Sequence, residues 1–138
     1  MTRFTKLDAK GNDLPAAATD HIAVHDNTTG LIWEAGDSEK RLTHKQALAN
    51  VKKLRLLGKK DWRLPTVEEL FLLADRTKTD PAIDQRFFPA CKASWYWTGT
   101  LYAASPADYA WYVHFNYGYS HWNDRDYDYC VRAVRPGQ

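Results

Sequence analysis

The sequence predicts an α+β domain in which a strand pair precedes two helices and a three-stranded antiparallel sheet. Two short segments in the first quarter of the chain flank a turn signal, and two capping boxes begin segments with helical spacing. The last third of the chain holds strand-like runs rich in aromatic residues. With 138 residues, 44% of them hydrophobic and 26% charged, the chain has the size and composition of one globular domain.

The overall composition excludes several classes of protein. A formal net charge of +2 excludes a histone-like protein and an acidic tail protein. No apolar run approaches the ~18 residues that a membrane helix requires, so no membrane span is expected. The first residues are polar and carry no apolar stretch with a cleavage site, so no signal peptide is expected and the localisation stays open. The unusual quantity is the aromatic content of 14%, with six Trp and eight Tyr.

The first part of the chain predicts a lead-in and a hairpin. Residues 1–20 are polar and are expected to be irregular, whereas residues 21–138 are expected to form the single domain. The segment His21–His25 alternates in polarity, and Asp26–Gly30 is a turn signal. Since Leu31–Trp33 follows as a short buried strand, the pattern predicts a β-hairpin.

Two helices are predicted from their capping boxes. The first box, Thr43–Gln46, begins a helix predicted over about 44–57, which Gly58 ends. The second box, Thr66–Glu69, begins a helix predicted to end near Arg76. Apolar residues at helical spacing follow both boxes, as expected for helices that pack on a sheet.

Three strands are predicted in the aromatic-rich part of the chain, where thirteen of the 35 residues from Trp95 to Tyr129 are aromatic. The strands are Trp95–Thr98, Ala110–Phe115 and Tyr129–Val134. Glycine and proline between them supply the turns, so we expect one antiparallel sheet.

Five motifs in order carry a resemblance to a known family. They are Thr29–Trp33, Asp61–Thr66, Tyr96–Thr98, Ala110–Val113 and Val131–Arg135. Together they resemble the Lcl C-terminal domain family of bacteria and phages, over nearly all of residues 20–137. The resemblance implies a C-type-lectin-like fold, with two helices packed on a small antiparallel sheet and long loops that form a binding face. It also implies a ligand-binding module at the end of a surface or tail protein. Some proteins of this fold are the variable targets of diversity-generating retroelements.

Several motif residues are interpreted as structural. Trp62 is expected to fill the core between the helices, and Arg63 is expected to pair with a carboxylate. Arg132 and Arg135, near the aromatic strands, are expected to stack on rings or to form ion pairs.

The segment from Asn116 to Tyr129 is the candidate binding surface. It contains four Tyr, three Asp and two Asn but no aliphatic residue, a composition typical of antibody-like binding loops. The alternative is a polar turn over aromatic core residues. With two tyrosines of neighbouring loops, the predicted ligand-binding residues are Tyr102, Tyr109, Asn116, Tyr117, Tyr119, Ser120, His121, Trp122, Asn123, Asp124, Arg125, Asp126 and Tyr127.

Two further resemblances concern this segment. Most of its residue types arise by changing the adenines of an Asn codon, as in retroelement-diversified loops, whereas Trp122 does not and is expected to be a fixed anchor. The tripeptide from Trp122 to Asp124 resembles the WND motif of calcium-dependent lectins, which makes Asn123, Asp124 and Asp126 the candidate calcium ligands. The Glu-Pro-Asn partner motif is missing, so no cofactor is expected, with calcium as the alternative.

The two cysteines, Cys91 and Cys130, leave three interpretations open. They are two buried free thiols, one disulfide that closes a long loop, or a reactive thiol. They do not form a CxxC pair, which excludes a thioredoxin-like dithiol and a zinc knuckle.

The sequence therefore predicts a non-catalytic domain that recognises a protein or a glycan. No G-x-S-x-G elbow, phosphate loop or recognised His spacing points to an enzyme. The aromatic loops carry few Lys or Arg, so nucleic acid is not expected as a partner, while a homo-oligomer stays open. One alternative is a phage or bacterial interaction or inhibitor protein that acts inside a cell. The other is an enzyme of the formylglycine-generating type, which the wide separation of the two cysteines disfavours.

Overall fold

The computed structural model describes residues 3–137, which form eight strands and two α-helices. In chain order these elements are β1 (Phe4–Leu7), β2 (Asp13–Leu14), β3 (Ala23–Asp26), β4 (Ile32–Glu34), α1 (His44–Lys53), α2 (Val67–Leu73), β5 (Trp95–Leu101), β6 (Tyr109–His114), β7 (Tyr119–Asp124) and β8 (Val134–Arg135). The architecture is α+β, as the sequence predicts. Neither α-helix, at ten and seven residues, has the length to span a bilayer, and no helix within residues 3–137 is long and apolar enough to do so.

The strands form two antiparallel sheets. The first has the order β2-β1-β3-β4-β8, and the second has the order β5-β6-β7. The predicted hairpin is confirmed: β3 pairs with β4, with Ala23 opposite Glu34. Gly30 adopts a φ of +80° in the connecting turn, a conformation that favours glycine.

The expectation that residues 1–20 are irregular is wrong for two segments, β1 and β2. β1 pairs with β3 along its whole length, with Phe4 opposite Asp26. The charged residue Lys6 obscures this strand in the sequence. Its side chain is buried, and Nζ donates hydrogen bonds to the carbonyl oxygens of Ala16 and Ala18. Residues 1 and 2, which belong to the same expected lead-in, lie outside the described residues.

The third strand of the second sheet also differs from the prediction. It is β7, in the candidate binding segment, and not Tyr129–Val134. An outer strand needs no strongly apolar face, so its polar composition carries no strand signal. The predicted segment instead crosses between the sheets: Cys130 bridges to Tyr96 of β5, and Val134 pairs with Trp33 of β4.

Both capping boxes are confirmed, and both helices are shorter than predicted. The side chains of Thr43 and Thr66 each accept a hydrogen bond from the N3 backbone, and the N3 side chains accept one in return. Leu54 and Ala74 are extended, which ends α1 and α2 there. The remainder of the first predicted helix contains a 3₁₀ turn over Leu56–Gly58.

The second sheet lies between two groups of core side chains. On one face, Leu70 and Leu73 of α2 pack in one cluster with Tyr96 and Val113. On the other face, α1 packs in a second cluster with the opposite side chains of β5 and β6. Trp62 is buried in this second cluster, although it lies with α1 and not between the two helices. Strand β7 is the outer strand of this sheet, paired with β6 alone.

The arginines of the motifs behave as predicted. Arg63 forms an ion pair with Glu69 at 2.8 Å, and Arg135 forms one with Asp61 at 2.7 Å. Arg132 is fully buried, with its guanidinium carbon 4.8 Å from the ring centroid of Phe88. It has no ion pair within residues 3–137, and backbone carbonyl oxygens accept its hydrogen bonds instead.

Candidate ligand-binding surface

Strand alternation divides the predicted binding residues between the two faces of β7. Ser120, Trp122 and Asp124 lie on the face toward α2, because Trp122 is opposite Trp111 and Ser120 is opposite Val113. The remaining residues of β7 lie on the face toward α1. The predicted residues therefore form two surfaces on either flank of one strand, and not one continuous face.

The first surface is the tyrosine patch, which we define as Tyr117, Tyr119 and Tyr127. The exposed fractions of Tyr117 and Tyr127 are 59% and 54%, whereas Tyr119 is half-buried. The rings of Tyr117 and Tyr119 have centroids 5.1 Å apart, and Tyr119 stacks on His114 at 5.5 Å. The patch is thus an open tyrosine surface with one ring fixed against the sheet.

Two buried tyrosines connect the members of the patch. Tyr112 contacts the ring of Tyr119 at 6.3 Å, and Tyr129 contacts the ring of Tyr127 at the same centroid distance. Tyr112 and Tyr129 contact one another at 5.3 Å. Burial raises the pKa of Tyr112 to about 12 and also raises the pKa of Tyr129, so both hydroxyls remain protonated at neutral pH. The buried rings of Tyr112 and Tyr129 therefore form a continuous aromatic layer that supports the rings of the tyrosine patch.

A cavity of about 480 Å³ adjoins the patch. Tyr127, Asp126 and Asp128 line one part of it, and Arg41 and Trp95 line another. The guanidinium of Arg41 lies 5.5 Å from the ring centroid of Trp95. The cavity thus combines aromatic faces with both signs of charge.

The second surface is an aromatic cluster on the α2 side of the sheet. Trp122 stacks on Tyr102 with centroids 4.3 Å apart and planes 7° apart, and it meets Trp111 edge-on at 5.2 Å. Tyr109 contacts Tyr102 at 6.1 Å. Trp111 is absent from the set of binding residues predicted above. Tyr109 directly precedes the predicted strand Ala110–Phe115, and the period-two spacing of Trp111 from it is the signal that places both rings on one face.

Several predicted residues are held by contacts within the protein. The amide of Asn123 donates to the hydroxyl of Tyr129 at 2.7 Å, and the side chain of Asn116 accepts from the backbone N–H of Tyr117 at 2.7 Å. Arg125 donates through Nε to Nδ1 of His44 at 3.1 Å, a contact that no sequence pattern predicts. These residues shape the loops around the two surfaces.

The three candidate calcium ligands do not converge. Asn123 and Asp124 lie on opposite faces of β7, and a carboxylate oxygen of Asp124 accepts the backbone N–H of Asp126 at 2.9 Å. In the part of the chain that the structure describes, no group of three or more His, Cys, Asp or Glu side chains is placed to hold a metal ion.

Of the three interpretations of the cysteines, the structure shows the first. Cys91 and Cys130 are free thiols and both are buried. Burial raises the pKa of each thiol, so the neutral form dominates at physiological pH.

A comparison with known families assigns the chain to one of them. Residues 22–135 match the Lcl C-terminal domain, and the chain therefore belongs to the Lcl C-terminal domain family. A comparison with curated proteins gives no match.

Proposed function

We propose that this domain is a non-catalytic recognition module that binds a protein or a glycan through the tyrosine patch. The observation that carries the proposal is the exposure of Tyr117 and Tyr127, each more than half accessible, on either side of a third tyrosine stacked on the sheet. Large exposed aromatic side chains that no core contact requires are typical of binding surfaces.

The physical basis of binding is the low entropic cost of ordering a tyrosine. A tyrosine has two side-chain torsions, presents a large apolar ring and ends in a hydroxyl that forms directional hydrogen bonds. The turn that carries Tyr117 is itself fixed, because Arg76 Nη2 donates to the carbonyl oxygen of Gly118 at 2.7 Å. Little freedom is therefore lost on binding, and each exposed ring is expected to contribute about 1–3 kcal/mol.

Membership of the family supports a variable, ligand-binding domain. We extend this to a C-type-lectin-like fold whose surface is open to diversification. Tyr117, His121 and Tyr127 are exposed and lie outside the two core clusters. Substitutions at these positions change the ligand surface without removing core side chains, which is what a diversified recognition site requires.

The test is binding of the purified domain to a glycan array and to proteins captured from a cell-envelope extract. The double variant Tyr117→Ala/Tyr127→Ala is expected to weaken binding at least tenfold, since a loss of about 1.4 kcal/mol already does so. Its melting temperature is expected to stay near that of the wild type because both rings are exposed. Tyr119 is left intact, since it packs on His114 and its removal would confound stability with binding.

The control is Leu101→Ala, which removes an exposed hydrophobic side chain, 40% accessible, from the end of β5. It is expected to leave binding at the tyrosine patch unchanged. Binding is also expected to survive a calcium chelator. The proposal fails if the wild-type domain retains neither a glycan nor a protein, or if the double variant binds as well as the wild type.

A further inference from the structure

We propose that the opposite flank of β7 is a second binding site, which takes an extended, positively charged peptide segment of a partner protein as an added strand. This site shares no side chain with the tyrosine patch. It is built from the outer edge of β7 and from a groove between α2 and the sheet.

The groove has a volume of about 540 Å³ and a mostly apolar lining. Its walls are Val67, Phe71 and Leu72 of α2 and Thr100, Trp111 and Ser120 of the sheet. Phe71 and Leu72 are 37% and 57% exposed, and they account for two of the five large hydrophobic side chains that are exposed in residues 3–137. The groove reaches β7 at Ser120, so a chain that lies along this strand has the groove beside it.

The outer edge of β7 offers unpaired backbone groups. The N–H of Phe115, just after β6, donates to the carbonyl oxygen of Ser94, just before β5. Backbone groups of successive residues point to opposite sides of a strand, so the odd-numbered residues of β6 bond to β5 and the even-numbered residues bond to β7. In the register of the two strands, each even-numbered residue of β6 lies opposite an odd-numbered residue of β7, so the odd-numbered residues of β7 are the ones that bond to β6. The N–H and C=O groups of Ser120 and Trp122 therefore point away from the sheet, and no residue among 3–137 bonds to them.

A free strand edge of this kind selects the form of the occupant. An extended peptide presents a matching row of N–H and C=O groups, whereas a helix has already paired its own. The side chains of an added strand alternate between the two flanks, so every second residue faces the groove. Apolar side chains at those positions contact Phe71, Leu72 and Trp111.

The charges at the groove select a basic peptide. Glu68 lines the groove and Asp124 ends β7 on the same flank, and neither carboxylate has an ion pair within the described range 3–137. The nearby cation, Arg76, is engaged: it donates to the carbonyl oxygens of Phe71 and Gly118 and lies 3.6 Å from the ring centroid of Phe71. Lys or Arg side chains at the two ends of the groove-facing row, with apolar residues between them, would neutralise the two carboxylates and contact the exposed aromatic faces.

The experiment uses the full chain and fluorescein-labelled nine-residue peptides, with affinity measured by fluorescence anisotropy. The Lys–Val peptide has Lys at positions 1 and 9, Val at positions 3, 5 and 7 and Thr at the even positions, so that both its charged and its apolar side chains face the groove. It is expected to bind saturably. A Glu–Val peptide with Glu at positions 1 and 9 is expected to bind at least tenfold more weakly. A Lys–Val peptide that is N-methylated at alternate residues keeps its charge but loses edge hydrogen bonds, so its affinity is expected to fall at least tenfold as well. Equal binding of the three peptides would overturn the proposal, and so would an absence of binding by all of them.

The matched pair of variants is Ser120→Pro and Ser120→Ala. Proline removes the outward N–H of Ser120 without removing a bond to β6, so Ser120→Pro is expected to weaken Lys–Val binding at least tenfold. Ser120→Ala keeps the N–H and is expected to bind like the wild type. If Ser120→Pro does not fold, the decision rests on Leu72→Asn, an uncharged change at an exposed residue that removes part of the apolar wall and is expected to weaken binding.

Two controls distinguish peptide binding at β7 from binding at the tyrosine patch and from self-association. The double variant Tyr117→Ala/Tyr127→Ala is expected to bind the Lys–Val peptide as the wild type does. The proposal for the tyrosine patch and the proposal for β7 can therefore be rejected independently of one another. Sedimentation of the free domain tests a second copy as the occupant. Dimerisation that Ser120→Pro abolishes would show that β7 pairs with itself, and the peptide proposal would then be wrong.

Discussion

Nδ1 of His44 accepts a hydrogen bond from Nε of Arg125 at 3.1 Å, while Nε2 of the same ring lies 2.9 Å from the carbonyl oxygen of Thr98. Since Nδ1 accepts, the proton sits on Nε2, which donates to that carbonyl. The buried imidazole thereby joins the first residue of α1 to β5 and to the turn after β7. Only the neutral ring can form both bonds.

This arrangement predicts that stability falls in mild acid. Burial, with the adjacent charge of Arg125, lowers the pKa of His44 below its usual 6.5. The unfolded chain therefore takes up the proton more readily, so the stability from the neutral ring is fully present above about pH 6.5 and is lost as the pH falls below it. Burial lowers the pKa of His114 as well, which adds a contribution of the same sign.

The measurement is urea denaturation at pH 7, 6 and 5. His44→Gln is expected to lower the free energy of unfolding at pH 7 by about 1–3 kcal/mol and to reduce its pH dependence, because a buried bonding partner is lost and the titrating group is removed. Lys45→Gln, at the exposed neighbouring position of α1, is the control and is expected to keep the wild-type profile. A His44→Gln variant with the full wild-type slope would contradict the assignment.

Arg132 predicts a larger effect on folding. Its Nη1 donates to the carbonyl oxygens of Glu34, Ala35 and Gly36 at 2.6–2.7 Å, which fixes the end of β4 against the last segment of the chain. Arg132→Met leaves three carbonyls without a donor and is expected to lower the free energy of unfolding by about 3 kcal/mol or more. Urea denaturation at pH 7 measures this difference.

A lysine at the same position is the informative comparison. The ammonium group of Arg132→Lys retains a charge and three donors, but it loses the planar contact with Phe88. Its loss of stability is expected to be smaller than that of Arg132→Met. If the two variants were equally stable, the carbonyl contacts would not be what Arg132 contributes.

The sequence was informative where structure is set locally. The two capping boxes lie within four residues each, and the hairpin depends on the turn before Leu31. The pairing of Arg63 with Glu69, six residues away, follows from the same local segment. Such features depend on neighbouring residues, so composition and spacing are sufficient to predict them.

Features that depend on distant parts of the chain escaped prediction. β1 can be recognised only from its pairing with β3, because the buried residue Lys6 interrupts the apolar pattern that would indicate a strand. The division of the binding residues between two flanks required knowing that residues 119–124 form a strand at the edge of a sheet. The contact of His44 with Arg125 joins residues 81 positions apart, and no local pattern reports it.

Gly118 provides the last prediction, because its position links the turn between β6 and β7 to α2. Its φ is +89°, and a Cβ atom there would lie 3.2 Å from Cβ of Ala74 and 3.3 Å from Cγ of Arg76. Backbone strain from a side chain at this φ costs about 1–2 kcal/mol. Gly118→Ala is expected to lower the free energy of unfolding by more than this, because the added Cβ is also crowded. Gly30→Ala is the matched control, since Gly30 has a φ of +80° but no atom within 4 Å of a Cβ. Urea denaturation of both variants separates strain from crowding, and equal losses would show that α2 does not constrain the turn that presents the tyrosine patch.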